Sequence, residues 1–419
     1  MKTLFNEKVF FFLLALVVIS LPWHEHFNGV CTILLMAWTL GYHLYHRPAW
    51  KDWRERSWLL LHWAWYALFA IGLLWSSNYD EGMFHLEVHM LLVLVPWMWA
   101  VSPSLHKKQY HLLMWCFVVS TFFTLPYTLG GVLPFYMKFH EINMWIITQS
   151  TPFHHGFMGM YWLTATFMIW YLVYQRRETA AYALAAGFTV VAFATLLLLN
   201  AKAAVVAMLL LPVGAGIIKL LAVKGKRYLL YLSAGVPSFL VVGFLFAMSQ
   251  WDSSSYQFGV DKNISLRSVW DFAGFLTYSF YHRLGQWHCG VEVWTQNWKT
   301  FLCGVGTGDA TQALNSCYKA NGWEWLEGFS THNEFLEEAV RHGLLGLLLL
   351  LTVFLYPIIQ SIRRGNYWYA LQSIAFFVAL MIDCYLSNQK GIVWYMWIGS
   401  LWYMLPRETW NQKGILQNT

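Results

Sequence analysis

Lys202 lies in Leu199-Asn200-Ala201-Lys202-Ala203, with apolar sequence on both sides. A cation at bilayer depth costs about 2.5–3.5 kcal/mol on insertion scales, so a lysine placed there either sits at a tight turn between two spans or holds an anion. Further along, Gly304-Val305-Gly306-Thr307-Gly308-Asp309 follows a short apolar segment. Glycines at alternate positions let a backbone turn tightly and bring its amides near an oxygen-rich ligand, and the same pattern serves equally as a plain turn. Next comes Ser330-Thr331-His332-Asn333-Glu334, which leads into another apolar run. Ser330, Thr331 and Asn333 are natural caps for the first turn of a helix, which leaves His332 at the helix mouth. Taken singly, each of the 16 histidines is more commonly structural than catalytic. His85 and His89 are four apart with Glu87 between them, a spacing that suits metal ligands, but Glu87 falls on a different helix face and no third ligand is recognisable. An interfacial or packing role is expected of that pair. Lys262, Arg267, Arg341 and the Gln389-Lys390 step are further cationic or polar positions, with a solvated, interfacial or loop position as the default.

These residues need a scaffold, and composition identifies it. Of 419 residues, 58% are hydrophobic and 11% charged. Soluble domains carry about 25% charged residues, so the chain is read as an all-α, polytopic membrane protein. Apolar runs long enough to cross about 30 Å of hydrocarbon fall near 9–23, 27–46, 58–75, 84–101, 110–129, 155–174, 180–199, 203–221, 228–249, 335–360, 367–386 and 391–405. Twelve spans put both termini on one side. That side collects 18 of the 27 Lys and Arg residues, as short cytoplasmic loops do, so both termini are expected in the cytoplasm. The net charge of +6 follows from this topology and gives no reason to expect nucleic acid as a partner. Residues 9–23 are expected to be a retained span, because no small-x-small cleavage site follows in 21–25.

The chain reads as one membrane domain, 1–419, with no internal repeat. One connection stands out, 250–334, of about 85 residues between the ninth and tenth spans. It holds Trp251, Trp270, Trp287, Trp294, Trp298, Trp323 and Trp325, so an ordered segment lying against the outer membrane surface is expected rather than a disordered linker. Cys289, Cys303 and Cys317 lie within it. One pair can bridge in an oxidising compartment and one thiol is left over, and spacing does not choose the pair. A second loop on the same face, 130–154, carries Lys138, His140 and His154, with His155 beside them.

The order of these elements carries more than any one of them. A basic residue between two spans, then Arg283, the G-x-G-x-G run, His332-Asn333 opening a span, and Gly343-Leu344-Leu345-Gly346 inside it resemble the O-antigen ligase and O-antigen polymerase superfamily. The resemblance covers about 180–350 and the twelve-span layout, while the first 150 residues add only topology. The family usually has Ser-Arg where this chain has Ala201-Lys202, and lysine lacks arginine's bidentate fork for phosphate. The resemblance implies an inverting glycosyltransferase of the bacterial inner membrane with its active site facing the periplasm and no cofactor or metal. Its donor would be an undecaprenyl-diphosphate-linked glycan and its acceptor a sugar hydroxyl of lipid A-core. Lys202 and Arg283 would neutralise the departing diphosphate and His332 would act as the base. Gly304, Gly306, Gly308, Asn333, Arg267 and Arg341 would be secondary substrate contacts.

Within that class, a polymerase or a protein O-oligosaccharyltransferase is the alternative. The single large outer loop late in the chain favours a ligase. A transporter of an anionic lipid or sugar is the reading from another class. The lack of an inverted repeat and of Gly- or Pro-broken spans at matching positions speaks against it.

Overall fold

The structure, a computed structural model, describes residues 5–48, 57–139, 144–176, 178–199, 201, 203–209, 272–364 and 366–405. These residues form helices and no strand. In chain order they are α1 (Glu7–Ser20), α2 (Glu25–His46), α3 (Ser57–Gly72), α4 (Tyr79–His89), α5 (Leu91–Val101), α6 (Lys107–Phe139), α7 (Met144–Ser150), α8 (His155–Arg176), α9 (Thr179–Leu198), α10 (Phe272–Thr295), α11 (Trp298–Cys303), α12 (Ala310–Ala320), α13 (Glu334–Arg364), α14 (Tyr367–Leu380) and α15 (Gln389–Tyr403). A further helical stretch covers 203–209. By length and composition, seven of the described helical segments can cross a membrane, with α4 and α5 together forming one of them. Apolar side chains on α2, such as Ile33 and Leu44, are exposed, as suits a helix that faces acyl chains.

Asparagine starts many of these helices. Asn6, Asn78 and Asn366 each accept a backbone N–H of the first turn, and Asn297 forms a full capping box. Asn333 caps α13 in the same way, accepting from the amides of Phe335 and Leu336 at 3.1 Å each. Inside, tryptophans fill the space between helices. Trp58, Trp65, Trp162, Trp397 and Trp402 are all fully buried.

The run 367–386 is not one continuous helix, because α14 ends at Leu380 and the chain then turns through 381–388. Asp383, Ser387 and Asn388 lie there, and a turn lets their polar groups reach partners that an apolar helix surface would deny them. The expected tenth span is among the seven long apolar segments, as Glu334–Arg363, and carries a kink at Gly343, whose φ of 67° and ψ of −156° interrupt α13. Among the three loop cysteines, the bridge is Cys289–Cys317, which ties α10 to α12 and leaves Cys303 as the free thiol.

Candidate functional site

The site is built around the entrance to α13. With Asn333 occupied as the cap, His332 takes a left-handed backbone conformation, φ 48°. That region is uncommon for a non-glycine residue, though histidine visits it more readily than most. The turn aims the ring at the 381–388 connection, where His332 Nδ1 meets Asp383 Oδ1 at 2.8 Å. With Nδ1–H donated to a carboxylate, the lone pair of a neutral ring lies on Nε2, the arrangement of a general base steered by an acid.

The connection that carries Asp383 is held from three sides. Glu334, the first residue of α13, accepts the Leu386 amide at 2.6 Å and the Ser387 hydroxyl at 2.9 Å. Asp383 Oδ1 also accepts the Cys384 amide at 2.9 Å. Arg283, from α10, donates Nε–H to the Ile382 carbonyl at 2.9 Å, so its guanidinium sits one residue from Asp383. Burial alone would raise the Asp383 carboxyl. The hydrogen bond and charge of His332, with Arg283 nearby, outweigh burial and hold it below the usual carboxylate range. His154 lies at the edge of the same cleft. Its pKa is lowered, first by burial and then by the neighbouring Lys390 and His332, against the opposing pull of Asp383.

His332, Asp383, His154 and Lys390 line a polar cleft of about 510 Å³. A second, mainly apolar groove of about 630 Å³ runs along α2 and α5, lined by Ile33, Met36, Leu40, Leu91 and Leu94 among others. The two share Glu25, Val88, Gln389 and Lys390, so the cleft and the groove adjoin along these residues.

The structure therefore brings His332 and Arg283 to the same 381–388 connection, while the other candidates are distributed differently. Lys202, Lys262 and Arg267 lie outside the described residues. The glycine run is a packing element. The amide of Gly304 donates to Thr300 O, that of Val305 to Val340 O, that of Gly306 to Arg341 O, and that of Gly308 to Ser76 Oγ. The break at Gly343 frees carbonyls of α13, and the run supplies their donors, so its amides are taken by the protein. Gly304, φ 74°, lies against the Arg341 carbonyl, where any Cβ would collide with backbone. Thr307 anchors the loop by donating to Phe69 O at 2.7 Å, with His342 Nε2 at 3.1 Å.

Arg341, expected to be solvated or interfacial, is instead buried, 2% exposed, paired with Glu337 at 3.2 Å and lying over the Phe69 ring. It belongs to the core, where its Nη2 meets the Glu337 carboxylate and lies 3.4 Å from His85 Nε2. Asn333, a secondary contact candidate, is 1% exposed and engaged as the helix cap. His85 and His89 are buried beside Arg341, with His89 Nδ1 at 2.7 Å from His85 O, the packing role expected of them. Among the described residues, the cluster with metal-ligand spacing is Cys289, Glu292 and Cys317, and the disulfide occupies two of its three members.

Sequence reading did not single out Asp383, although a signal was present. An acid inside the apolar run 367–386 is as conspicuous at bilayer depth as Lys202. No family model matches the chain, and no curated protein matches it.

Proposed function

We propose that this chain transfers a glycan from a polyprenyl-diphosphate carrier to a hydroxyl acceptor, with His332 as the base. The observation that carries the reading is the His332–Asp383 pair, set in a polar cleft that adjoins an apolar groove. A lipid-linked sugar needs both environments at once, an oily channel for its tail and a polar chamber for the reacting carbon. The ordered motifs described above supply the reaction type.

In this reading the acceptor O–H attacks the anomeric carbon from the face opposite the diphosphate. Its proton passes to His332 Nε2 as the new C–O bond forms, and the old C–O bond breaks with its electron pair leaving on the diphosphate. Asp383 stabilises the imidazolium that develops, and the anomeric configuration inverts. Arg283, held beside Asp383, and Lys202 would offset the charge that builds on the leaving group. The chain would cross the bacterial inner membrane twelve times with both termini inside, the cleft would face the periplasm, and lipid A-core would be the acceptor.

The test is transfer in lipid nanodiscs from an undecaprenyl-diphosphate-linked glycan to lipid A-core, with donor binding measured separately. His332→Gln keeps a polar side chain but cannot accept the proton usefully, so turnover should be lost while donor binding survives. Near-normal transfer by this variant would remove His332 from the chemistry. Donor flux across proteoliposomes without bond cleavage would favour the transporter.

A further inference from the structure

The boundary between cleft and groove is occupied by an ion pair. Lys390 Nζ lies 2.8 Å from Glu25 Oε1, and the two residues line both cavities. Lys390 is the second residue of α15 and Glu25 the first of α2, so the pair joins two helix starts. A cation in the first helical turn faces the positive end of the helix dipole, an unfavourable place unless an anion is supplied. Glu25 supplies one here, and the Phe153 ring, 5.4 Å from Nζ, flanks the ammonium. The pair is not locked in. Glu25 is 47% exposed, and ion pairs of that kind contribute little to stability, so another anion can replace the carboxylate.

Resting on the reading above, the geometry points to Lys390 as a phosphate-binding residue for the donor, with Glu25 holding its place in the empty protein. A lipid whose tail fills the groove and whose sugar reaches His332 must carry its phosphates past the rim that the two cavities share. Lys390 is the cation on that rim. On binding, its ammonium exchanges the Glu25 carboxylate for phosphate oxygens, and Glu25, now beside a like charge, turns away. No covalent step is involved.

This exchange makes the two partners of one ion pair act in opposite directions. The probe is undecaprenyl diphosphate without a glycan, titrated into the full chain in phosphatidylcholine nanodiscs. Lys390→Ala should weaken binding about tenfold or more, because a charge-assisted contact is lost. Glu25→Gln should tighten it about threefold or more, because a competing carboxylate is removed. Lys390→Arg should bind close to wild type, and in transfer assays Lys390→Ala should raise the donor KM.

Inorganic pyrophosphate tests the headgroup alone, and nanodiscs containing phosphatidylglycerol test bulk anionic lipid. Competition by either as strong as by undecaprenyl diphosphate itself would overturn the assignment to the lipid-linked donor. If Lys390→Ala and Glu25→Gln weaken binding equally, or neither changes it while wild type binds and transfers, the pair is structural and this inference alone fails. If wild type binds no undecaprenyl diphosphate, the functional reading fails with it.

Discussion

Replacing Asp383 with asparagine removes one negative charge and nearly preserves shape. The asparagine carbonyl can still accept the Cys384 amide, which Asp383 Oδ1 now accepts at 2.9 Å, so the 381–388 turn should hold. What disappears is the carboxylate facing His332 Nδ1 at 2.8 Å. When His332 takes a proton, opposite unit charges about 4 Å apart attract by about 4 kcal/mol at an effective dielectric near 20. The two side chains are 28% and 30% exposed, so water screens part of this and about 2–3 kcal/mol remains. At 1.36 kcal/mol per tenfold in rate, Asp383→Asn should lower kcat by roughly 30- to 200-fold. Single-turnover transfer in nanodiscs at saturating donor is the appropriate assay, since it isolates the chemical step. A rate constant within about threefold of wild type, or a loss confined to donor KM, would refute the argument that Asp383 steadies the protonated base.

Two other outcomes follow from the same geometry. The Asp383 carboxyl is held below its ordinary value in the folded protein, so its contribution to stability is fully present above an unfolded pKa of about 3.9 and is lost as pH falls through the lower folded value. The stability gap between wild type and Asp383→Asn in thermal unfolding should therefore close as pH falls below about 4. Gly304→Ala should destabilise the protein by at least about 1–2 kcal/mol for the left-handed backbone alone, with a further penalty from the Arg341 carbonyl that its Cβ would meet. A melting temperature equal to wild type would show that the α11–α13 contact is loose.

Much of the scaffold is legible from sequence because its causes are local. A run such as 180–199 is long enough to span hydrocarbon at 1.5 Å per residue, and Thr179–Leu198 is the helix that results. Asn333 caps amides two and three residues away, so the position of His332 just outside a helix follows from neighbours in the chain. The turn in the glycine run is local in the same sense.

Tertiary structure alone decided what those residues meet. His332 finds Asp383 across 51 residues, and Lys390 finds Glu25 from near the other end of the chain. The amides of Val305 and Gly306 in the glycine run, free to meet a ligand as far as sequence shows, are taken by carbonyls that a break at Gly343 exposes in another helix. The bridge between Cys289 and Cys317 likewise depends on α10 and α12 lying side by side. Backbone propensity and capping act within about four residues, whereas these pairings depend on which helices pack together, and that is settled by burial of side chains summed over the whole molecule.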